Sequence, residues 1–440
     1  LVRIFVSLFF ATATAQIGLG IISPILPLYA RTFSASGLAI GLVFAAFSAS
    51  RTLFGPILGR ASDRVGRKSL IVAGLASYTA VSILYTLAGN LWQLGLFRFL
   101  QGIASVMVTP LAQAYVGDLT PRGKEGQYTN LFYSSQFMGM AIGPVLGGGI
   151  GAAWSYESAF YAMAALSMVS LLLVVFTVPA DRRLPAVSRP SRMAPIRQVI
   201  AHDAVKAMMT YAATRGFWRQ AFNTFYPLYA VAALSADEAS IGLVLSVYMF
   251  TEGLLEIPFG FLADRYPRMR QIVVGSGCAP LALVAIPFVG STWGVVLLAF
   301  AMGAFSALGR ASLVAIRTAL GRTYGMGTLA GLQGSAFAFG QMFGPVVSGA
   351  VVDGLGLAAA FPFGSGVGMI GTVLVIAWMR RWLRKNPGDA GGGSASPGGD
   401  PIQTELARSQ GAGGRWRRVR AGPEHGVLPI LCGVERLPAS

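Results

Sequence analysis

Apolar stretches of about 20 residues, separated by short polar or glycine-rich breaks, recur along the chain to near residue 385. They predict twelve helices, at 5–29, 38–59, 69–89, 91–116, 127–150, 157–179, 207–231, 240–261, 271–290, 293–316, 326–350 and 360–382. The breaks alternate in character. "RTFSASG" and "GN", after the first and third spans, are short and nearly uncharged, whereas "GRASDRVGRK", "GDLTPRGKEGQ", "DRYPRMR" and "RTALGRTYG" are basic. Residues 181–206, with Pro185, Pro190 and Pro195, read as a linker between an N-terminal half (1–180) and a C-terminal half (207–385). Beyond Asn386 the Gly/Ser/Pro-rich run has little to bury and predicts a disordered tail over 386–440.

Composition agrees with an all-α polytopic membrane protein. Of 440 residues 54% are hydrophobic and only 12% charged, about half the ~25% usual in soluble domains, and mean hydropathy is +0.62. The net charge of +17 does not point to nucleic acid, because the basic residues sit in the breaks. One side collects Arg60, Arg64, Arg67, Lys68, Arg122, Lys124, six cations of the linker, Arg265, Arg268, Arg270, Arg317, Arg322 and Arg380 to Lys385; the other has Arg31 alone. Lys and Arg favour the cytoplasmic face, which predicts both termini there. Two cysteines and two histidines support no metal site, catalytic cluster or cofactor.

The chain repeats itself at one offset. "IGLV" at 40–43 returns at 241–244, and at the same shift Gly59, Asp63, Arg64, Arg67, Trp92, Gly102, Gly139, Gly143, Pro144 and Gly148 fall on identical residues. "PLYA" closes both the first and the seventh span. The first span is therefore expected to belong to the fold rather than to a cleaved signal. Two parallel six-helix halves about an axis normal to the membrane form a transporter architecture, with a site where they meet.

Four segments carry a family resemblance over roughly residues 5–385. "GRASDRVGRKSL" (59–70), "LGLFRFLQG" (94–102), "GMAIGPVLGG" (139–148) and "GLGIISPILP" (18–27) resemble signatures of the major facilitator superfamily, the third being similar to that of its antiporters and the last to that of its twelve-helix drug:proton antiporters. The resemblance implies a gate motif of Gly59, Asp63, Arg64, Gly66, Arg67 and Lys68, repeated at Asp264 and Arg265. In it Asp63 would meet the eleventh span across the boundary between halves. Physically, Gly59 is expected to let the second and third spans approach, and Gly66 to supply a turn that other residues resist. Gly139, Gly143, Gly147 and Gly148 offer a smooth face, and Pro144 frees a carbonyl and bends the helix. Gly344 and Pro345 repeat that helix-bending element.

Ionisable side chains inside spans are functional candidates. They are Arg51, Arg98, Arg215, Arg219, Glu252 and Glu256, with Arg310 expected to snorkel. Arg215 and Glu252 each stand about eight residues from the ends of adjacent antiparallel spans, roughly 12 Å deep at ~1.5 Å per residue, so they can pair. Arg98 falls on the resembled family's fourth-helix arginine, associated there with proton coupling. Any mid-membrane proton carrier must be Glu252 or Glu256, since no acid lies mid-span in the first half. Phe217, Trp218 and Phe222 are candidates to line a cavity, with Asn223 a polar contact.

The leading expectation is a secondary transporter working by alternating access, exporting an amphipathic compound against proton entry. It would sit in a prokaryotic inner membrane, act as a monomer, and need no nucleic acid or other macromolecular partner. Two alternatives stand: a carrier of organic anions or zwitterions in which neither Glu titrates, and a transporter-derived sensor. An enzyme is not expected, for want of a nucleophile, metal or His/Asp cluster.

Overall fold

Long apolar runs form helices because each backbone group is then satisfied within its own segment. The computed structural model describes residues 2–119, 125–179 and 196–385. They form thirteen α-helices and two 3-10 turns. These are α1 (Val2–Arg31), α2 (Gly37–Val65), α3 (Arg67–Thr86), α4 (Leu91–Leu119), α5 (Glu125–Ala153), α6 (Tyr156–Thr177), α7 (Ile196–Ala201), α8 (Asp203–Leu234), α9 (Glu238–Arg265), α10 (Arg268–Ala285), α11 (Thr292–Tyr324), α12 (Met326–Leu355) and α13 (Ala360–Lys385). Ten are long and apolar enough to cross a bilayer. The other long ones, α5 and α8, have 29 and 32 residues. The polar residues that lower the hydropathy of α8, among them Arg215, Arg219, Asn223 and Thr224, are buried in protein.

Local chemistry sets the turns. Ser36, Ser155, Asp237 and Ser291 cap α2, α6, α9 and α11, each accepting an amide hydrogen bond from three residues on at 3.2 Å. Gly66, with φ 101°, makes the one-residue turn between α2 and α3 as the sequence suggests, and Gly325, with φ 88°, does the same between α11 and α12.

Helix neighbours follow the repeat. In the first half α1 packs on α5 and α6, α2 on α4, and α3 on α4 and α6. In the second, α8 packs on α12 and α13, α9 on α11, and α10 on α11 and α13. The halves meet along two seams, α5 against α9 and α2 against α12, which the repeat exchanges.

Glycine makes the closest approaches possible. A Cβ on Gly139, Gly143 or Gly147 would run into the backbone of α1; at Gly143 it would lie 2.6 Å from the Cα of Gly20. Gly344 stands in the same way against Phe217 of α8. Across the seams, a Cβ on Gly242 would strike the Pro144 carbonyl, and one on Gly41 the Pro345 carbonyl. Gly148 meets Glu238, and Gly349 meets Gly37. The glycine–proline element thus has one face for its own half and one for the other.

Three expectations change. The segment ahead of the seventh span contains α7, six residues starting directly after Pro195, too short for periodicity to reveal. "RTALGRTYG" is not a loop: α11 runs through it to Tyr324 and only Gly325 turns. Gly59 makes no close approach, since a Cβ there would meet nothing within 4 Å. The tail from 386 lies outside the described residues.

At the start of α8, Lys385 donates to Asp203 at 2.7 Å, and Lys206 lies 3.9 Å away. The Lys385 hydrogen bond and the nearby cations hold the Asp203 carboxyl below the usual carboxylate range. A depressed acid contributes stability that is complete above the ordinary value of about 3.9 and lost as pH falls through the folded value. Asp203→Asn should therefore lower the melting temperature at neutral pH and remove part of its fall below about pH 4. A second expectation concerns packing. Gly143→Val should cost about 1–3 kcal/mol or more, because the obstructing atoms are backbone, whereas Gly149→Val, with open space around it, should leave the detergent melting temperature nearly unchanged.

Candidate functional site

The buried charges fall into two groups, one in each half. In the second half α8, α9 and α11 place Arg215, Glu252 and Ser306 together. Arg215 pairs with Glu252 through Nη2, and its Nε donates to Ser306 Oγ at 3.1 Å. The Ser306 hydroxyl in turn donates to Glu252 Oε1 at 3.1 Å. One turn along, Arg310 binds Glu256 with two nitrogens, Nε donating at 3.0 Å, and its Nη1 is 3.9 Å from Glu252. The Arg215–Glu252 pair expected from depth is therefore present. Arg310 does not snorkel: it faces α9 because two carboxylates stand there, four residues apart on one helical face.

The first half has no acid mid-span to offer. Arg98 of α4 is 5% exposed and donates to Gln101 Oε1 at 2.7 Å, a group that also accepts from the Tyr85 hydroxyl at 2.9 Å. Its guanidinium lies over Phe44 and Phe47, 5.1 and 4.5 Å from the centroids, and its Nε has no partner. Arg51 of α2 shares the Phe47 ring, at 5.4 Å. Gly102 brings α4 onto α2 here, its missing Cβ facing Ser50 and the Phe47 carbonyl. The repeat restates this: Gly303 brings α11 onto α9 at the Tyr248 carbonyl. Arg219 of α8, buried, lies 5.7 Å from the Tyr248 ring, and its Nε is likewise unpartnered.

The aromatic stretch of α8 divides. Trp218 and Phe222 are core residues at 3% and 1% exposure, in edge contact with Tyr248. Trp218 also borders a small cavity with Thr214, Arg215 and Ser306. Phe217, half-buried, packs on Phe363. Asn223 is buried with its Oδ1 unpartnered.

The side chains of Asp63, Arg64 and Asp264 lie outside the described residues. Lys68 acts within its own half: its ammonium donates to the Val175 carbonyl at 3.0 Å and to that of Val178, capping the end of α6. Arg265 is exposed. Three hydrogen-bonded contacts between the halves lie toward the short-loop end, while deeper in the α5/α9 seam Phe137 packs on Gly253 and under the Arg310 guanidinium at 4.9 Å; sequence reasoning did not find them. Asp353 of α12 accepts from the amides of Gly37 and Leu38 at 2.6 and 2.9 Å, capping α2. Tyr156 donates to Glu238 at 3.0 Å, and Ser246 accepts from the Val145 amide at 3.0 Å. Ser246 answers the proton-bearing nitrogen next after Pro144. Asp353 stands in the last turn of its own helix, and its partners lie more than 300 residues away, so no local pattern marks it. Toward the basic-loop end, a Cβ on Gly55, Gly260, Gly331 or Gly334 would meet nothing within 4 Å.

The sequence description of the Major Facilitator Superfamily matches residues 8–229 and again 207–432. The chain belongs to that superfamily. As a facilitator it is a multi-pass integral membrane transport protein and not an enzyme. It is 24% identical over 386 residues to multidrug resistance protein 2 of Bacillus subtilis, covering 86% of this chain and 96% of that one. It is also 24% identical over 381 residues to the quinolone resistance protein NorA of Staphylococcus aureus, covering 85% and 96%. Among solved structures it resembles a bacterial homolog of the human lysosomal transporter Spinster in an inward-facing, occupied conformation. The TM-score is 0.72 at 17% identity, over 90% of this chain and 98% of that one. The likeness to that structure is one of fold.

For this facilitator the paired charges give a graded expectation. Removing one partner of a buried ion pair costs about 3–5 kcal/mol, so Glu252→Ala, which strands Arg215, should lower the thermal midpoint in detergent strongly. Glu256→Ala should lower it less, because that pair is partly exposed, with side-chain exposures of 23% and 19%.

Proposed function

We propose that the chain is a secondary active transporter in which two six-helix halves, 1–180 and 207–385, rock about the α5/α9 and α2/α12 seams, with all twelve long helices crossing the membrane. The observation that carries this reading is the placement of the cross-half contacts. Asp353 to α2, Tyr156 to Glu238 and the paired Gly–Pro approaches all lie toward the short-loop end. That is the arrangement of a carrier closed at one face. By the distribution of Lys and Arg the basic end is cytoplasmic, which makes this the inward-facing state and puts both termini in the cytoplasm. The resistance proteins among its relatives support export of small amphipathic compounds, in a prokaryotic inner membrane.

Proton coupling is the natural drive for such export, and Glu252 and Glu256 are its carriers in this reading. In the conformation described both are paired with arginine, so each would take up a proton only as its pair loosens. A second reading has its own support. Arg215, Glu252, Ser306, Glu256 and Arg310 all belong to one half, and rigid-body rocking leaves their spacing unchanged. On that view the network fixes α8, α9 and α11 to one another and does not titrate. The Asp63 gate at the cytoplasmic face remains part of the proposal, engaged when that face closes.

Proton movement in sealed proteoliposomes separates the two. With a pH gradient imposed and ethidium or a quinolone added, the coupled reading expects substrate-dependent proton flux in wild type, lost in Glu252→Gln or Glu256→Gln. Substrate transport that moves no protons would remove the carrier role and leave the pairs as packing.

A further inference from the structure

Charge arithmetic in the membrane interior leaves a remainder. Apart from Arg317 toward the basic end of α11, the described spans hold five interior arginines, Arg51, Arg98, Arg215, Arg219 and Arg310, and two carboxylates, Glu252 and Glu256. Arg215 consumes Glu252 and Arg310 consumes Glu256. Arg51, Arg98 and Arg219 have no carboxylate partner among the described residues, and Arg98 and Arg219 each bury an unpartnered Nε. A guanidinium cannot shed its proton in a protein, so burial does not neutralise it as it would a carboxylic acid.

The three are not scattered. Arg51 and Arg98 lie over one ring, Phe47. Arg219 lies over Tyr248, and Tyr248 is the residue that the offset of the repeat places on Phe47. Each half therefore presents arginine on an aromatic plate at the matched position of α2 and α9, the helices that line the two seams. Aromatic faces offset the charge only in part. What they leave is a demand for an anion whose body is apolar.

We propose that the transported compound is an amphipathic organic anion. Its carboxylate or sulfonate is held by Arg51 and Arg98 in the first half, and Arg219, with the open Oδ1 of Asn223 beside a donor group of the ligand, engages it in the second. This rests on the transport reading above. Two guanidiniums present the fork geometry that carboxylates accept, and they repel cations. A cationic drug would find no free mid-span carboxylate among the described residues, because Glu252 and Glu256 are both paired with arginine. The anion would also give the two halves a shared ligand, supplying the attraction that closes the basic face around it.

The test uses the full chain in proteoliposomes with 5-carboxyfluorescein as the anion and ethidium as the cation, and in detergent with fluorescence polarisation of the same two dyes. Carboxyfluorescein is expected to be carried and bound by wild type. Arg51→Gln and Arg98→Gln should each weaken its binding at least tenfold, and Arg98→Lys should lose less. Size-exclusion profiles establish folding, and Arg51→Lys and Arg98→Lys replace any Gln variant that fails it. Charge-retaining lysine still loses the two-pronged contact, so measurable weakening is expected there also. Ethidium carried and carboxyfluorescein neither carried nor bound would overturn the anion proposal while leaving transport intact. Unchanged carboxyfluorescein binding in the arginine variants would overturn it as well. If neither dye is carried, the transport reading fails separately, and binding of carboxyfluorescein lost in Arg98→Gln would still support the anion site.

Discussion

Helices in a bilayer gain little from hiding apolar surface from one another, because lipid is as apolar as leucine, so close van der Waals approach must hold them together. In this chain that constraint is met at glycine. The α1/α5 and α8/α12 pairs and both seams between halves all meet where a missing Cβ lets one backbone lie on another. Everything else in the molecule is arranged around those four lines. Among the helices they bring together, α2, α8 and α9 carry Arg51, Arg215, Arg219, Glu252 and Glu256, and Pro144 and Pro345 each turn a backbone carbonyl toward a glycine of the other half.

The electrostatics show the two copies of one repeat put to different uses. Position 51 is arginine and its mate, 252, is glutamate, and around this exchange the halves have diverged. One locks its glutamates to arginines on neighbouring helices. The other holds arginines against rings and a glutamine. In the conformation described, two arginine–glutamate pairs join α8, α9 and α11 in the second half, while Arg51 and Arg98 in the first half and Arg219 in the second lie on aromatic rings without a carboxylate partner among the described residues. Divergence of chemistry on a preserved packing scheme is what a duplicated six-helix unit permits, since the seams depend on glycine spacing and not on the charges.

Much of the fold was legible before any coordinates. The apolar runs place the twelve long helices to within a few residues, except where α11 continues as far as Tyr324 and α2 as far as Val65. Basic residues at those ends lower hydropathy without breaking the helix. The pairing of Arg215 with Glu252 followed from depth alone. The partner of Glu256 did not, because Arg310 is 54 residues away and only the packing of α11 on α9 brings it near. Gly59 shows the reverse error. Its motif suggested tight packing, but the structure leaves space there, and glycine spacing by itself does not say which state of a moving protein is being packed. Asp353 was invisible for a different reason: a cap supplied by another half of the chain leaves no local pattern.

That cap has no counterpart. The offset that relates the halves places Ala152 where Asp353 would be, so the α2/α12 seam carries a charge-to-amide fastening that the α5/α9 seam replaces with Tyr156 and Glu238. A cap of this kind is worth about 1 kcal/mol, enough to tilt an equilibrium between two states about fivefold. In the proposed cycle, one carboxylate at the rim would thus help set the resting bias, and hence the face on which an unoccupied molecule waits, far from the arginines proposed to hold cargo.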